Sequence, residues 1–428
     1  MPNPRRSFCA SGVDIITPMQ EKKIINRIKA FFETPTGRRT ALWLAYFVFW
    51  SGLAAYLPYI AVYYESIGLM GGEIGRLNSI PYFVTFVSSI VFAFLSDKFG
   101  QHKLILRVTS VGIIAILLIY PSARSFSALI PIVLAYSVLH APSNAILDET
   151  TLSTLENPEH YGKIRVGGTI GWGIMVVVTG FLIDHLSLGL NVIFYVHMFF
   201  SLLFLAVVAI IPDPHPHSSK TSEQVSLKKV AAVLRQPGFL LFLVLIVLWG
   251  IGESSIGNFL FLHIKSLGGS STLMGTALAV SLVGEIVVFS FADKFHSRFK
   301  PEVMVLMAFI VLFAWLVGLS LIKNPFIIPF FQVFGGAGFA LLQSGSVNYV
   351  DQRAPREIGT TVQAIRGGIY SGLGVGVGAI ISGFIYEAAG SAALFRVMAL
   401  IALGGFIFGL SIQLHERRRK QPNGNSDG

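Results

Sequence analysis

The sequence predicts an all-α membrane protein with twelve transmembrane helices, arranged as two six-helix bundles related by a parallel repeat. Three observations predict it. Only 13% of the 428 residues are charged and 53% are hydrophobic, whereas soluble domains carry about 25% charged residues. Apolar runs of about 20 residues, the length that crosses a bilayer core about 30 Å thick, recur along the chain. Landmark residues also recur at a nearly constant offset. The scarcity of charge excludes an ordinary soluble enzyme.

The transmembrane elements are apolar runs bounded by charged or turn residues. A helix satisfies its own backbone hydrogen bonds in lipid, so each run is predicted as one helical span. In chain order the twelve predicted spans cover residues 41–64, 76–95, 104–120, 126–147, 162–184, 190–211, 239–264, 272–291, 301–322, 325–350, 360–387 and 391–414.

The basic residues alternate between the two sides of the predicted spans. One side holds 27 of the 32 Lys and Arg residues, in tails 1–40 and 415–428 and in the loops after even-numbered spans. Cytoplasmic loops carry such an excess, so both termini are predicted in the cytoplasm and the protein in the plasma (inner) membrane. The net charge of +10 therefore reports topology, and no nucleic-acid partner is expected. The other side holds Arg76, Arg124, Lys265, Lys323 and Arg396.

An internal repeat divides the chain into bundles 41–211 and 239–414, which the cytoplasmic segment 212–238 joins. Matched landmarks at one offset are the sequence sign of a duplicated transporter bundle. The offsets lie between 196 and 203 residues, and the matched landmarks are Trp50 with Trp249, Gly52 with Gly250, Gly75 with Gly275, Asp97 with Asp293, Asp148 with Asp351, Arg165 with Arg366, and Gly180 with Gly383.

Three motifs resemble the major facilitator superfamily. They are the loop Asp97-Lys98-Phe99-Gly100 followed by Lys103, the segment 161–172 with Arg-x-x-Gly-x-x-Gly-Trp, and residues 354–363 before span 11. Across all twelve spans the chain resembles this superfamily, and the second and third motifs are similar to its branch of lactose permease, nucleoside-proton symporters and phenylpropionate permeases. The resemblance implies a secondary transporter whose cytoplasmic gating loops contain Asp97, Lys98, Gly100, Lys103, Asp293 and Lys294.

Substrate-binding candidates share a face of span 5. Arg165, Thr169 and Trp172 recur at i, i+4 and i+7, which places them on one side of a helix. A guanidinium offers bidentate hydrogen bonds and an indole offers a flat apolar surface, a pair that suits a sugar, a nucleoside or an aromatic acid. Similarity to lactose permease implies that Arg165 binds substrate hydroxyls and Trp172 stacks on the ring. The alternative is a cytoplasmic anchor and a packing residue. Span 11 mirrors this face with Gln363, Arg366 and Tyr370.

A polar stripe follows span 4, where Tyr136, His140, Asn144 and Asp148 recur every four residues. Such a stripe is expected to face the bundle interior. It predicts a path for substrate or protons, and the alternative is a set of hydrogen bonds that hold the helices together.

Buried acids are the candidates for proton coupling. Only Glu253 and Glu285 lie well inside a span, and burial disfavours the charged form of a carboxyl. Glu285 is the first candidate and Glu253 the second, followed by Asp148 and Glu149 at the inner end of span 4. The segment 250–255, rich in glycine and serine, is expected to break or bend span 7 near the midplane. A structural ion pair with an arginine is the alternative role for either glutamate.

Several function classes lack their sequence signals. The chain has one cysteine and neither a Walker A, a His-Glu-x-x-His nor a Gly-x-Ser-x-Gly motif, so we expect no enzyme, no metal and no cofactor. The sequence predicts a proton-coupled symporter of a small polar organic solute, a sugar or a nucleoside, that works by alternating access as a monomer in the lipid bilayer. The alternatives are a transporter of an aromatic carboxylate or other organic anion, and a receptor or scaffold that does not transport.

Overall fold

A computed structural model of the protein describes residues 30–99, 102–155, 157–186, 188–211, 227–355 and 357–420. Regular secondary structure within these ranges is entirely helical. Ten helical stretches are long and apolar enough to cross a membrane, and the last of them, Gly359–His415, contains two spans. The helix Gly71–Phe99 is the remaining span. The predicted all-α polytopic fold is confirmed, and the bundle boundaries stay predictions.

The first six spans form the N-terminal half. Span 1 is Pro35–Tyr56 continued by Ile60–Ser66, span 2 is Gly71–Phe99, span 3 is His102–Ile119, span 4 is Phe126–His140 continued by Ser143–Thr154, span 5 is Tyr161–His185, and span 6 is Val192–Ile210.

The last six spans form the C-terminal half, preceded by the short helix Leu227–Leu234. Span 7 is Pro237–Ser266, span 8 is Ser271–Ser290, the short helix Ala292–Arg298 follows it, span 9 is Pro301–Leu321, and span 10 is Ile328–Asp351. Span 11 is Gly359–Gly368, the π-helix Ile369–Gly376 and residues 377–389, and span 12 is residues 391–420 of the helix Val377–Lys420. Gly390 separates the last two spans with φ 77°, a left-handed conformation that glycine adopts without steric cost.

Prolines and caps explain where several spans begin or break. Thr34 accepts a hydrogen bond from the Gly37 amide (3.1 Å) and caps span 1 at its start, as hydroxyl side chains commonly do. Pro58 and Pro142 lie at the breaks inside spans 1 and 4, since proline cannot continue the backbone ladder of a helix. The polar stripe predicted on span 4 is therefore divided between two helices, with His140 before the break and Asn144 after it.

Span 7 runs without a break through residues 250–255, which corrects the expected break, while a bend there stays a prediction. Its glycines serve close packing instead. A Cβ on Gly250 would lie 2.7 Å from the Cα of Gly374 in span 11, and one on Gly252 would lie 3.0 Å from Leu312 in span 9. The irregular backbone of this half lies in span 11, as the π-helix.

The spans alternate in direction and define two faces of the molecule. The terminal face is the face where span 1 begins and span 12 ends. The opposite face carries the connections after the odd-numbered spans, including residues 67–70 and 267–270. Large apolar side chains such as Phe330 (74% exposed) and Leu400 (65% exposed) point outward, as expected where the surrounding medium is lipid.

Candidate functional site

A cavity of about 390 Å³ lies between the two halves. Spans 1, 2, 4 and 5 line it from one side and spans 7 and 8 from the other. Its size suits a small organic molecule. None of its lining residues is Lys, Arg, Asp or Glu, and its polar or aromatic lining includes Asn78, Tyr82, Thr85, Tyr136, Ser137, His140, Trp172 and Asn258.

Trp172 and His140 are the two predicted substrate-binding residues that line the cavity. The Trp172 ring meets the Trp50 ring edge to face, with centroids 6.0 Å apart. Trp50 in turn occupies the space that a Cβ on Gly168 would need. The missing side chain at residue 168 therefore lets Trp50 of span 1 pack against span 5 beside Trp172.

Tyr136, one turn before His140 on span 4, forms a hydrogen bond with His197 of span 6. The Tyr136 hydroxyl and the His197 Nε2 are 2.9 Å apart. The ring of His140 stacks on the ring of Tyr136 with centroids 5.7 Å apart. A second hydroxyl group on the wall, Tyr64, lies 2.5 Å from the Tyr120 hydroxyl. These contacts hold polar groups on a mainly aromatic wall, the arrangement that orients a ligand in a pocket.

A second space of about 720 Å³, here called the vestibule, opens at the terminal face. Arg165 of span 5 and Arg366 of span 11 both line it. Arg366 is 8% exposed, and it donates to the Ser346 hydroxyl (2.9 Å), the Gln343 amide oxygen (3.2 Å) and the Gln363 amide oxygen (3.0 Å). The two predicted arginines thus face the vestibule and do not line the cavity. Thr169, between Arg165 and Trp172, is exposed and lines neither space.

Asp148 anchors a polar cluster beside Arg165. It accepts hydrogen bonds from the hydroxyls of Tyr46 and Tyr161, the latter at 2.9 Å. The Asn144 amide lies 3.4 Å from it and an Arg165 Nη1 lies 4.0 Å from it. Tyr161 also accepts a hydrogen bond from Arg165 at 2.8 Å. Asn144 and Asp148, the two stripe residues after the break in span 4, therefore form their hydrogen bonds within this cluster. The neighbouring Glu149 is exposed.

Glu253 joins span 7 to the π-helix of span 11. Its carboxylate accepts hydrogen bonds from the Trp249 indole (3.0 Å) and from the Tyr370 hydroxyl. Glu253 is not part of the cavity lining, although Ile256 and Gly257, one turn further on, are. Both of its hydrogen-bond donors are neutral.

Glu285 lies on span 8 between a residue that lines the cavity and a residue that lines the vestibule. It shares a helical face with Leu278, which lines the cavity, and with Phe289, which lines the vestibule, because these residues are spaced by seven and four. Glu285 makes no hydrogen bond or ion pair to the residues that the structure describes. An acid without a partner inside a span marks a functional candidate.

The structure describes the side chains of only two of the predicted gating residues, Lys103 and Lys294. The side chains of Asp97, Lys98 and Asp293, and all of Gly100, lie outside the part of the chain that the structure describes. Lys103 lies in the first turn of span 3 and is half-buried. The Lys294 ammonium lies 5.1 Å from the centre of the Phe291 ring.

The two halves meet in a cluster of hydrogen bonds at the opposite face. Asp184 accepts bonds from the Ser271 amide (3.0 Å), the Thr272 amide (2.8 Å) and the Thr272 hydroxyl (2.6 Å). Glu387 accepts one from the Gly72 amide (2.7 Å). Both carboxylates cap the first turn of a span in the other half, where free amides and the helix dipole favour an anion.

An ion pair completes this contact. The Glu65 carboxylate accepts from the Lys265 ammonium (2.7 Å) and from the Tyr386 hydroxyl (2.7 Å). The halves are therefore joined at the opposite face, while the vestibule opens at the terminal face.

Glycines let the spans cross closely beneath these bonds. A Cβ on Gly275 of span 8 would clash with the carbonyl of Val176 in span 5 and would lie 2.6 Å from the Tyr59 hydroxyl. A Cβ on Gly75 of span 2 would clash with the carbonyl of Ala379 in span 11. Gly75 and Gly275, two of the matched landmarks of the repeat, thus lie where the two halves are in close contact.

Sequence reasoning missed several residues of the cavity and of the contact. Asn78, Tyr82 and Thr85 were detectable, because they recur at i, i+4 and i+7 in an apolar span and so form a polar stripe. Asp184 and Glu387 carried no such signal, since they lie at helix ends where acids are common.

A sequence model of the MFS_1 like family matches residues 40–397. The chain belongs to the major facilitator superfamily. It is a multi-pass membrane protein of a family of transporters, as predicted from its motifs.

Known members of the superfamily resemble it over most of its length. The maltose permease of Geobacillus stearothermophilus is 24% identical over 391 residues, which cover 91% of this chain and 98% of that protein. The crystal structure of the nucleoside transporter NupG superposes with a TM-score of 0.77 at 15% identity over 88% of this chain and 98% of that chain. A bacterial homologue of the human lysosomal transporter Spinster, inward-facing and occupied, superposes with a TM-score of 0.67 at 13% identity over 89% and 96%.

Proposed function

We propose that the protein is a proton-coupled symporter of a neutral, ring-containing polar solute, a sugar or a nucleoside. The observation that carries the proposal is the lining of the central cavity, which combines an indole, phenols and amides without a charged side chain. A full charge on the solute would find no counter-charge there. The ring of a sugar or a nucleobase would find both an aromatic surface and hydrogen-bonding groups.

The names of two similar proteins support the same substrate classes. One is a maltose permease and the other a nucleoside transporter. We therefore rank sugars and nucleosides equally and leave the choice between them to the transport assay.

Uptake by reconstituted protein tests the substrate class. Proteoliposomes with an inward-directed proton gradient are offered radiolabelled disaccharides, nucleosides or aromatic carboxylates. We expect uptake of one of the first two classes, and a rise in KM of about tenfold in Trp172→Ala as stacking is lost. Trp172→Phe keeps an aromatic ring and is expected to retain most of the affinity. Tyr195→Ala removes an exposed aromatic residue outside the cavity and serves as the control. If no solute in the panel is taken up, the receptor or scaffold alternative gains support.

Proton coupling is assigned to Glu285 first and to Glu253 second. Glu285 lies on span 8 between Leu278 of the cavity and Phe289 of the vestibule, a position that suits a proton that binds and leaves within one transport cycle. In Glu285→Gln we expect substrate exchange across the membrane to persist while accumulation driven by the proton gradient is lost. Glu159→Gln, at an exposed position in the short helix Pro158–His160, is the control. Proton-driven accumulation by Glu285→Gln at every pH would overturn the assignment to Glu285, and the same measurement on Glu253→Gln then tests the second candidate.

An organic anion is the second candidate substrate. The observation that favours it is the pair Arg165 and Arg366 on one vestibule, where only Arg165 has a carboxylate within 4.0 Å among the described residues. In this case an aromatic carboxylate would be the transported class in the same assay. Arg366→Gln would then reduce its uptake more than Trp172→Ala does.

We further propose that the terminal face is cytoplasmic, so that the vestibule opens inward and the sealed opposite face is the outside. The 27 basic residues on the terminal side support this orientation. The two halves then rock about the cavity, with the loops at Asp97 and Asp293 as cytoplasmic gates, in a protein that works as a monomer in the plasma (inner) membrane. In intact cells, an impermeant thiol reagent is expected to label a cysteine placed at Arg124 but not one placed at Lys300. The reverse pattern would invert the orientation.

A further inference from the structure

A basic groove of about 430 Å³ lies at the terminal-face ends of spans 1 and 5. It shares no lining residue with the cavity or the vestibule. Arg39, Thr40 and Trp43 line it from span 1, and His160, Lys163 and Ile164 line it from the start of span 5. The lining contains two permanent cations and no acid.

The cations of this groove are available for an external anion. Neither Arg39 nor Lys163 forms an ion pair within the described ranges. The Nδ1 atom of His160 is buried and has no hydrogen-bond partner there either. His160 immediately precedes span 5, a helix of 25 residues, whose first amides and dipole also favour negative charge. The four features converge on the same small region.

Trp43 gives the groove a rigid apolar wall. Its ring stacks on Phe47 with centroids 5.4 Å apart and an angle of 11° between the planes, and it packs against Gly167, where a Cβ would lie 3.0 Å from the indole. Tryptophan beside basic residues at a span end is typical of the level of lipid headgroups.

An exposed apolar stripe continues from the groove along span 5. Val166 (49% exposed), Ile170 (41%) and Ile174 (49%) follow Lys163 at intervals of three, seven and eleven residues, so all four lie on one side of the helix. A ligand with a phosphate head and an apolar tail would meet cations first and then this stripe. Free phosphate would use only the first part.

We propose that this groove binds an anionic phospholipid, with the phosphodiester between Arg39 and Lys163 and an acyl chain along the stripe of Val166, Ile170 and Ile174. Basic pockets between spans at the cytoplasmic side are suited to such headgroups. The site is separate from the transport route, so the proposal does not depend on which solute is carried.

Thermal unfolding of the full-length protein in a nonionic detergent tests the proposal, because a ligand that binds the folded state raises its Tm. The probes are dioleoyl phosphatidylglycerol, dioleoyl phosphatidylcholine and inorganic phosphate, each titrated alone. We expect a saturable rise in Tm with phosphatidylglycerol and none with the other two. In the double variant Arg39→Ala, Lys163→Ala the half-maximal concentration is expected to rise about thirtyfold, since each surface cation attracts anionic lipid appreciably.

The matched control removes two other cations from the same face. Lys228 and Lys300 are exposed and lie away from the groove, so Lys228→Ala, Lys300→Ala is expected to change the half-maximal concentration less than about twofold. Lys163→Arg keeps the charge and is expected to bind like the wild type, even if the alanine variants prove unstable. An equal loss in the control pair would show a general surface effect and overturn the site. Stabilisation by inorganic phosphate alone would replace the lipid with a free anion.

Discussion

The two crossings that join the halves are related by the internal repeat, yet they are built differently. Span 5 crosses span 8 under the three hydrogen bonds of Asp184, and the Tyr59 hydroxyl adds bonds to the carbonyls of Val176 (2.6 Å) and Ser271 (3.2 Å). At the crossing of span 2 with span 11, Glu387 accepts a single bond, from Gly72. The first crossing is held by directional polar bonds.

The second crossing depends more on shape. A Cβ on Gly372 would lie 2.7 Å from Phe86 of span 2, and one on Gly376 would lie 3.3 Å from Phe83. Both glycines belong to the π-helix Ile369–Gly376, a geometry that is rare and frequent at functional sites. Glycine-to-aromatic contacts can slide, whereas three bonds to one carboxylate must break together. We therefore expect the crossing of spans 5 and 8 to be firm and the crossing of spans 2 and 11 to be pliable.

Filling the glycine gap of either crossing is expected to have the largest effect. Gly275→Val introduces a side chain where the Val176 carbonyl and the Tyr59 hydroxyl already sit, an overpacking that costs about 2 kcal/mol. The ratio of closed to open opposite face then falls about thirtyfold. Gly75→Val is expected to shift it less, because the π-helix lets span 11 move aside. Pulsed electron paramagnetic resonance between labels at Arg124→Cys and Lys323→Cys, in a Cys9→Ser background, measures the opening.

Gly404→Val is the matched control for this experiment. A Cβ on Gly404 meets nothing within 4 Å, so the label distance is expected to stay as in the wild type. If Gly75→Val opened the face more than Gly275→Val, the assignment of firm and pliable crossings would be reversed.

The two capping carboxylates provide the next largest difference. Asp184→Ala removes three hydrogen bonds to the start of span 8, and loss of such a cap costs about 1 kcal/mol, a shift of about fivefold toward the open face. Glu387→Ala removes one bond and is expected to shift the same ratio about twofold. The same pair of labels reports both variants. Equal effects would show that the number of bonds does not set the strength of a crossing.

Most of the architecture could be predicted from the sequence, because a transmembrane span is a local pattern of apolar residues. Twelve apolar runs and their order needed only hydrophobicity and length, and the repeat located Gly75, Gly275, Gly180 and Gly383 as matched landmarks. The reason why these four positions are glycines could not be found in the local sequence. Each is a glycine because a backbone from the other half occupies the place of its side chain, which depends on contacts about 100 to 300 residues apart in the chain.

The candidate site was harder to predict for the same reason. Counting charges inside spans led to Arg165, Arg366, Glu253 and Glu285, and the structure places both arginines on the vestibule. The central cavity is instead lined by neutral groups such as Asn78 and Asn258. A count of charged residues does not detect such groups. Asp184 looked like an ordinary acid at a helix end, since its partner is the first turn of a helix in the other half.

The ion pair of Lys265 with Glu65 is expected to matter least, although it spans the halves at 2.7 Å. Its side chains are 41% and 31% exposed, and pairs exposed to this extent contribute about 0–1 kcal/mol. In Lys265→Met, Tyr386 still donates to Glu65, so the label distance is expected to report a shift of less than about twofold. High salt screens the wild-type pair, and the difference between the two proteins should therefore vanish near 1 M salt. A shift as large as that of Asp184→Ala, or one that persists in high salt, would mean that this ion pair and not the carboxylate caps holds the face closed.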